Sequence, residues 1–351
     1  MRASTKGHWI LMSGIFDSEL DSILEGTSRS FFLSLKELPK QIRGQVSLLY
    51  MLARTSDTIA DSKDGTFEER LIALESFNEY SKGNTDKAPN FHSLALQQTN
   101  DSEGLLLDKV EEVTSMIGQF SESDQEAIRR CLGIIIGGQR LDLERFSDSG
   151  ERIIPIENEE ELDDYAYRVA GSVGEFWTRM SLDHLFQINS ELEKELFEYG
   201  VRFGKALQMI NILRDIPSDL SLGRCYIPRE SLYEFELAPE DLLEPEKMSQ
   251  FRPLYDRYLD LTDSHFRAAV KYIEMIPHSQ FRLRGACMLP VIIGKRTAAK
   301  LRRGNVLDSS NRIKIDRTEI KSVVNRLVLA VPFKSSSKKI LSDPKQYPRS
   351  D

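Results

Sequence analysis

The sequence predicts an all-α, single-domain helical bundle around a central cavity. Three observations carry this. Apolar residues recur with helical spacing along most of the 351 residues. No run of alternating β-branched residues marks a sheet. The polar breaks at 82–90, 147–158 and 218–224 are too short and too mixed to act as interdomain linkers. Hydrophobic residues make up 40% of the chain, enough for a substantial core. The spacing predicts helices over 16–25, 28–36, 39–62, 66–80, 103–119, 122–148, 159–186, 190–216, 229–235, 239–244, 249–275, 279–302 and 316–329. Residues 1–15 read as an N-terminal extension and 16–332 as the folded domain. Residues 333–351, rich in Ser, Lys and Pro, read as a disordered basic tail.

Composition excludes several functions. The net charge is -8, and no Lys/Arg stripe is interleaved with aromatics, which argues against a nucleic-acid partner. From Arg312 onward ten Lys/Arg face four Asp/Glu, which suits either a solvated tail or peripheral contact with an anionic membrane face. The three cysteines, Cys131, Cys225 and Cys287, are far apart and without a Cys-x-x-Cys, so neither a disulfide framework nor a zinc site is expected. A reducing, cytoplasmic setting fits them. No signal-peptide stretch opens the chain and no 18 consecutive apolar residues occur.

Two helices carry Asp pairs four residues apart: Asp57 and Asp61, and Asp215 and Asp219. An i, i+4 pair sets both carboxylates on one face, where their repulsion costs an isolated helix about 0.2–0.5 kcal/mol. Arg43, Ser47, Tyr50, Arg54, Asp57 and Asp61 form one polar line flanked by apolar residues on both sides. Gly204, Gln208, Asn211, Asp215 and Asp219 repeat the design. A plain solvent face explains one such line as well as a cavity does, but two matching lines poorly, so both are expected to face a wet cavity. Pro217 disfavours helix at Ile216 and predicts a loosened turn under Asp219. Small residues at Ala170, Gly171, Ser172 and Gly174 serve either tight helix packing or close approach of a long apolar ligand. Thr27 and Ser28 read as a helix cap, plain or, with Arg29 beside it, a diphosphate cradle. Together these parts imply Mg²⁺ held by the four aspartates, a diphosphate leaving group met by Arg54 and Arg214, and an allylic cation in a dry aromatic pocket.

Five motifs in order resemble those of the squalene/phytoene synthases, the head-to-head prenyl diphosphate synthases: Ser28-Arg29-Ser30-Phe31, Leu49-Tyr50 to Asp61, Tyr165 with Val169-Ala170-Gly171-Ser172-Val173-Gly174, Gln208 to Asp219, and Gly223-Arg224-Cys225-Tyr226-Ile227-Pro228. The resemblance implies the single all-α isoprenoid-synthase domain. It implies that Asp57, Asp61, Asp215 and Asp219 bridge Mg²⁺ and that Arg29, Arg54 and Arg214 contact diphosphate. Gln208 and Asn211 would line the cleft, and Tyr50 and Tyr165 would stand beside the ionising substrate. Ser28, Phe31, Val169, Ala170, Gly171 and Arg224 join these as substrate-binding residues. Asp57-Thr58-Ile59-Ala60-Asp61, with Asn305 and Ile313-Lys314-Ile315, is more similar to squalene synthases. Those condense two farnesyl diphosphates to presqualene diphosphate and reduce it with NADPH, for which Lys314 and Arg317 are the candidate contacts. The alternatives are a phytoene or dehydrosqualene synthase without reduction and, from another class, a non-catalytic assembly protein that would have lost the carboxylates.

Overall fold

The chain is described here from a computed structural model, which covers residues 16–28, 31–62, 65–147 and 152–342. The expected extension at 1–15, Arg29, Ser30 and residues 343–351 lie outside the described residues.

The helices form in the predicted order, and local chemistry fixes many of their ends. α1 (Ser18–Ser28), α2 (Phe31–Glu37) and α3 (Lys40–Ala60) follow closely, with Pro39 setting the start of α3. α4 (Phe67–Lys82) opens with a capping box: Thr66 Oγ1 accepts from the Glu69 amide at 3.2 Å, and Glu69 Oε2 accepts from the Thr66 amide at 2.8 Å. Three short helices, α5 (His92–Ala95), α6 (Asp101–Asp108) and α7 (Val110–Ser115), lead to α8 (Glu122–Arg145), capped by Ser121. α9 (Glu159–Ala166) is capped by Asn158 and runs through one π-helical turn, Tyr167–Gly171, into α10 (Ser172–His184). α11 (Ser190–Leu220), capped by Asn189, is the longest. α12 (Arg229–Glu234), α13 (Met248–Met275), α14 (Phe281–Leu301), α15 (Arg317–Ala330) and α16 (Lys334–Ser342) complete the bundle. The only strands among the described residues are β1 (Ile154–Pro155) and β2 (Arg224–Cys225), a two-residue parallel pair.

α11 forms the axis, packed on α10, α13 and α14, while α3 packs against α4 and α8. Tyr255, Tyr258 and Tyr272 of α13 are fully buried with Phe251 and Phe266. Each ring stabilises the fold by roughly 1.5–3 kcal/mol through area removed from water. The three cysteines are free and at most 3% exposed, and burial pushes each thiol up to about 12. No helix of the described residues is long and apolar enough to cross a membrane.

The tail corrects the sequence reading. Lys334–Ser342 is helical, not disordered, because Leu341 finds a buried apolar seat and Ser337 is buried with it. Its charged residues made the segment look like a solvated tail.

Candidate active site

Tyr50, Arg54, Asp57 and Asp61 lie along one face of α3 and border a cavity of about 320 Å³. Val46, Leu49, Ile135, Leu143, Val169, Val173, Phe176 and Trp177 give it apolar walls; Gln139, Asp142, Tyr165, Gln208 and Arg224 add polar groups. Phe31 packs on the Tyr50 ring, centroids 5.4 Å apart, and Tyr50 Oη donates to the Thr27 carbonyl at 3.0 Å. The lower half of the α3 line turns away from the cavity. Ser47 is buried in the core, and the Arg43 guanidinium donates to the Leu38 carbonyl at 2.6 and 3.1 Å, pinning the helix start.

Arginines sit on the carboxylates at the mouth. Arg54 Nη1 donates to Asp57 Oδ2 at 2.8 Å and Nη2 to Glu103, while Arg224 Nη1 donates to Asp61 Oδ1 at 3.0 Å. Arg214 grips Asp215 through Nε to Oδ1 at 3.0 Å and Nη2 to Oδ2 at 2.5 Å, and Arg312 Nη2 reaches Asp215 Oδ1 at 2.6 Å. Burial works to raise Asp215, but Arg214 and Arg312 hold it below its ordinary value. Asp57 is pushed up to about 6 by burial and by Asp61, against the pull of Arg54. Asp219 is pushed up to about 7 by burial, by Asp215 and by Asp61 across the mouth, with Arg224 opposing. Asp61 and Asp219 thus lie near enough to repel, but of the predicted α11 line only Gln208 borders the cavity; Asp215 and Asp219 do not. Among the described residues no three His, Cys, Asp or Glu side chains converge tightly enough to hold one ion alone.

α11 reaches Asp219 without the break expected at Pro217. Proline removes the amide that would bond the Leu213 carbonyl four residues back. Tyr255 of α13 supplies the missing donor, its Oη reaching that carbonyl at 2.9 Å. Gly223, with φ of 74°, then turns the chain into β2, whose pairing with β1 places Arg224 beside Asp61.

The small-residue element resolves toward packing. A Cβ on Gly204 would lie 2.0 Å from the Ala170 carbonyl oxygen, and one on Gly174 would lie 1.9 Å from that of Gly200. Ala170 and Gly171 therefore form a backbone contact with α11 and do not line the cavity. Val169 and Val173, pointing the other way, do.

Other expected contacts are also relocated. Ser28 closes α1, its hydroxyl donating to the Leu24 carbonyl, and does not cap the next helix. Asn211 is exposed and off the cavity wall. Arg214 serves Asp215 at the rim instead of lining the chamber. Lys314 and Arg317 are exposed and away from the cavity. Asp316 caps α15, accepting from the Glu319 amide at 2.7 Å. Arg312 is the cation of this segment that reaches the site.

The far wall holds residues that motif reading passes over. The Tyr165 ring stacks on Tyr226, with centroids 4.7 Å apart and planes at 16°, and Tyr165 Oη donates to Tyr226 Oη at 3.3 Å. Tyr226 Oη donates in turn to Asp142 Oδ2 at 2.5 Å. Burial and the nearby Asp142 raise the Tyr165 phenol well above its ordinary value. A signal existed: Gln139 and Asp142 are a polar i, i+3 pair on the buried face of α8, beside Ile135, Ile136 and Leu143.

The arrangement, an acidic pair bordering an apolar chamber inside an all-α bundle with a second acidic pair nearby, defines a class of fold and site. A family profile described as squalene/phytoene synthase matches residues 24–319, and the chain belongs to that family. It is 28% identical over 263 residues to the bifunctional lycopene cyclase/phytoene synthase of Gibberella fujikuroi, covering 73% of this chain and 43% of that protein. It is 29% identical over 211 residues to the presqualene diphosphate synthase of Zymomonas mobilis, covering 60% of each. The chain thus spans under half the length of the bifunctional relative. Among solved structures, a TcSQS complex superposes with TM-score 0.75 at 17% identity, covering 93% of this chain and 90% of that one. A dehydrosqualene synthase superposes with TM-score 0.63 at 20% identity, covering 88% and 94%. At such identities these two show the fold alone.

Proposed function

We propose that this protein condenses two prenyl diphosphates head to head, farnesyl diphosphate being the first candidate, through a presqualene-type diphosphate. One observation supports the reading: Asp57 and Asp61 of α3 border an apolar cavity that Tyr165 also borders, and Asp61 stands close enough to Asp219 of α11 to push it up. The donor set fits Mg²⁺, because its oxygens are hard carboxylate donors, and Asp57 and Asp219, pushed up by burial and by a neighbouring carboxylate, call for a cation. Pairs that do not close on one ion leave coordination sites for substrate phosphate oxygens. Asp57, Asp61, Asp215 and Asp219 would hold it, and bound Mg²⁺ would neutralise the departing diphosphate. Arg54, Arg214 and Arg224 then leave their carboxylates for the diphosphate oxygens. The walls formed by Phe31, Phe176 and Trp177 keep water from the allylic cation, and the ring face of Tyr165 lies beside it.

For the fate of the cyclopropyl intermediate, the squalene-like motif at Asp57–Asp61 and the Ile313-Lys314-Ile315 stretch favour reduction to squalene, with NADPH supplying the hydride. The outward placement of Lys314 and Arg317 favours a second reading, release without reduction. Purified protein is incubated with Mg²⁺ and farnesyl or geranylgeranyl diphosphate, with and without NADPH, and the extracted lipids are identified. A product that appears only with NADPH supports reduction, and one that ignores it supports the second reading. Asp57→Asn and Asp215→Asn should each lower diphosphate release by about 10²-fold or more. Release that persists in both variants refutes the assignment and revives the non-catalytic alternative.

A further inference from the structure

We propose that Tyr226 and Asp142 form the inner half of a proton relay that starts at Tyr165 and carries away the proton lost when the three-membered ring closes. The proposal rests on the condensation reading above.

The hydrogen bonds run in one direction. Tyr165 borders the cavity, its hydroxyl donates to Tyr226, and Tyr226 donates to Asp142, so each donor points away from the substrate and toward a carboxylate. The near-parallel stack of the two rings fixes the oxygens in that order. Asp142 is only 8% exposed and its Oδ1 lacks a hydrogen bond, with Arg145 Nη1 standing 3.7 Å away. The Arg145 ion pair and the Tyr226 hydroxyl hold the carboxylate at the inner end of the chain of hydroxyls. The charged and titratable groups around it are Arg145 on its own helix, Arg224 and Tyr226 from the β2 stretch, Tyr165 from α9 and Asp219 from α11. Their sum, with burial, leaves the carboxylate at about 6, a base matched to neutral pH.

The step balances. Diphosphate leaves the first prenyl unit with the bonding electron pair. The C2–C3 double bond of the second unit attacks the resulting C1 cation, forming one C–C bond and leaving a cation at C3. C1 then loses a proton, and the freed electron pair forms the second C–C bond, closing the ring. That proton passes to Tyr165 Oη as the Tyr165 proton moves to Tyr226 and the Tyr226 proton to Asp142. Both phenols end neutral, and Asp142 ends as the acid and later returns its proton to solvent. No oxidant or reductant is needed.

Tyr226→Phe keeps the stacked ring and removes the relay hydroxyl; Asp142→Asn keeps an acceptor for Tyr226 and removes the base. Each is assayed with Mg²⁺ and saturating farnesyl diphosphate for the fraction of released diphosphate that appears as cyclopropyl diphosphate or its descendants instead of the C15 alcohol. The relay predicts that this fraction falls by about 10²-fold in both variants, and that Asp142→Glu recovers part of it. Misfolded enzyme lowers total release without altering the fraction, so the ratio separates a proton-transfer role from a structural one. A wild-type fraction in both variants overturns the relay and assigns the proton to another base, such as the diphosphate itself. A wild-type enzyme that releases no diphosphate from either prenyl substrate overturns the functional reading beneath it.

Discussion

Tyr255→Phe isolates the device that lets α11 carry Asp219 past a proline. In the native protein the Leu213 carbonyl loses its helical partner to Pro217 and receives the Tyr255 hydroxyl at 2.9 Å, with both residues fully buried. Deleting the hydroxyl leaves a buried acceptor unmet and should cost about 1–3 kcal/mol. Pro217→Ala restores an amide at position 217, which takes the same carbonyl in ordinary helical register. In that background Tyr255→Phe removes only a second bond, worth about 0.5–1 kcal/mol. The four proteins of the cycle are compared by urea unfolding, read by far-UV circular dichroism, with slopes checked for equality. A coupling energy on the order of 1 kcal/mol is expected between positions 255 and 217. If Tyr255→Phe costs the same with proline and with alanine, the hydroxyl does not substitute for the missing amide, and the account of α11 fails.

Gly174→Ala should prevent normal packing of α10 on α11, since its Cβ would sit 1.9 Å from the Gly200 carbonyl; a loss of at least about 3 kcal/mol is expected, seen as a lowered melting temperature. His265 is depressed to about 4 by burial and by Arg202 and Lys205, so it stays neutral in the fold while the unfolded chain takes up a proton near 6.5. Its contribution is fully present above 6.5 and is lost as pH falls toward 4; His265→Gln should flatten the acid limb of stability by on the order of 1–3 kcal/mol, measured as unfolding midpoint against pH. On the proposed function, Arg312→Ala frees Asp215 from a competing cation and should lower the Mg²⁺ concentration for half-maximal activity severalfold in a metal titration.

The helices and the acidic lines were legible because both depend on spacing within one segment. Period-3.6 apolar residues placed α3, α8, α11, α13 and α14 nearly as observed, and the i, i+4 carboxylates Asp57 and Asp61 stand on the border of the cavity. What escaped depends on partners remote in sequence. Nothing near Pro217 announces that Tyr255 will mend the helix, so a loosened turn was the local expectation. Ala170, Gly171 and Gly174 suit a ligand as well as a helix, and only Gly204, opposite the first two, and Gly200, opposite the third, decide the matter. Asp142 acquires its setting from Tyr226, 84 positions away. Arg312, not Lys314, reaches the acidic residues because its partner is Asp215, 97 positions away.

The three thiols offer a clock. Cys131, Cys225 and Cys287 are shielded and poorly ionised, so a maleimide dye added to the intact protein finds almost no target. Each molecule of dye that does attach records an opening event. Since Cys225 stands between Arg224 and Tyr226, tagging there times the loosening of the chamber wall, whereas Cys287, within α14, answers only to wider unravelling. Digestion and mass spectrometry of the tagged chain would turn three silent side chains into a map of which part of the bundle gives way first.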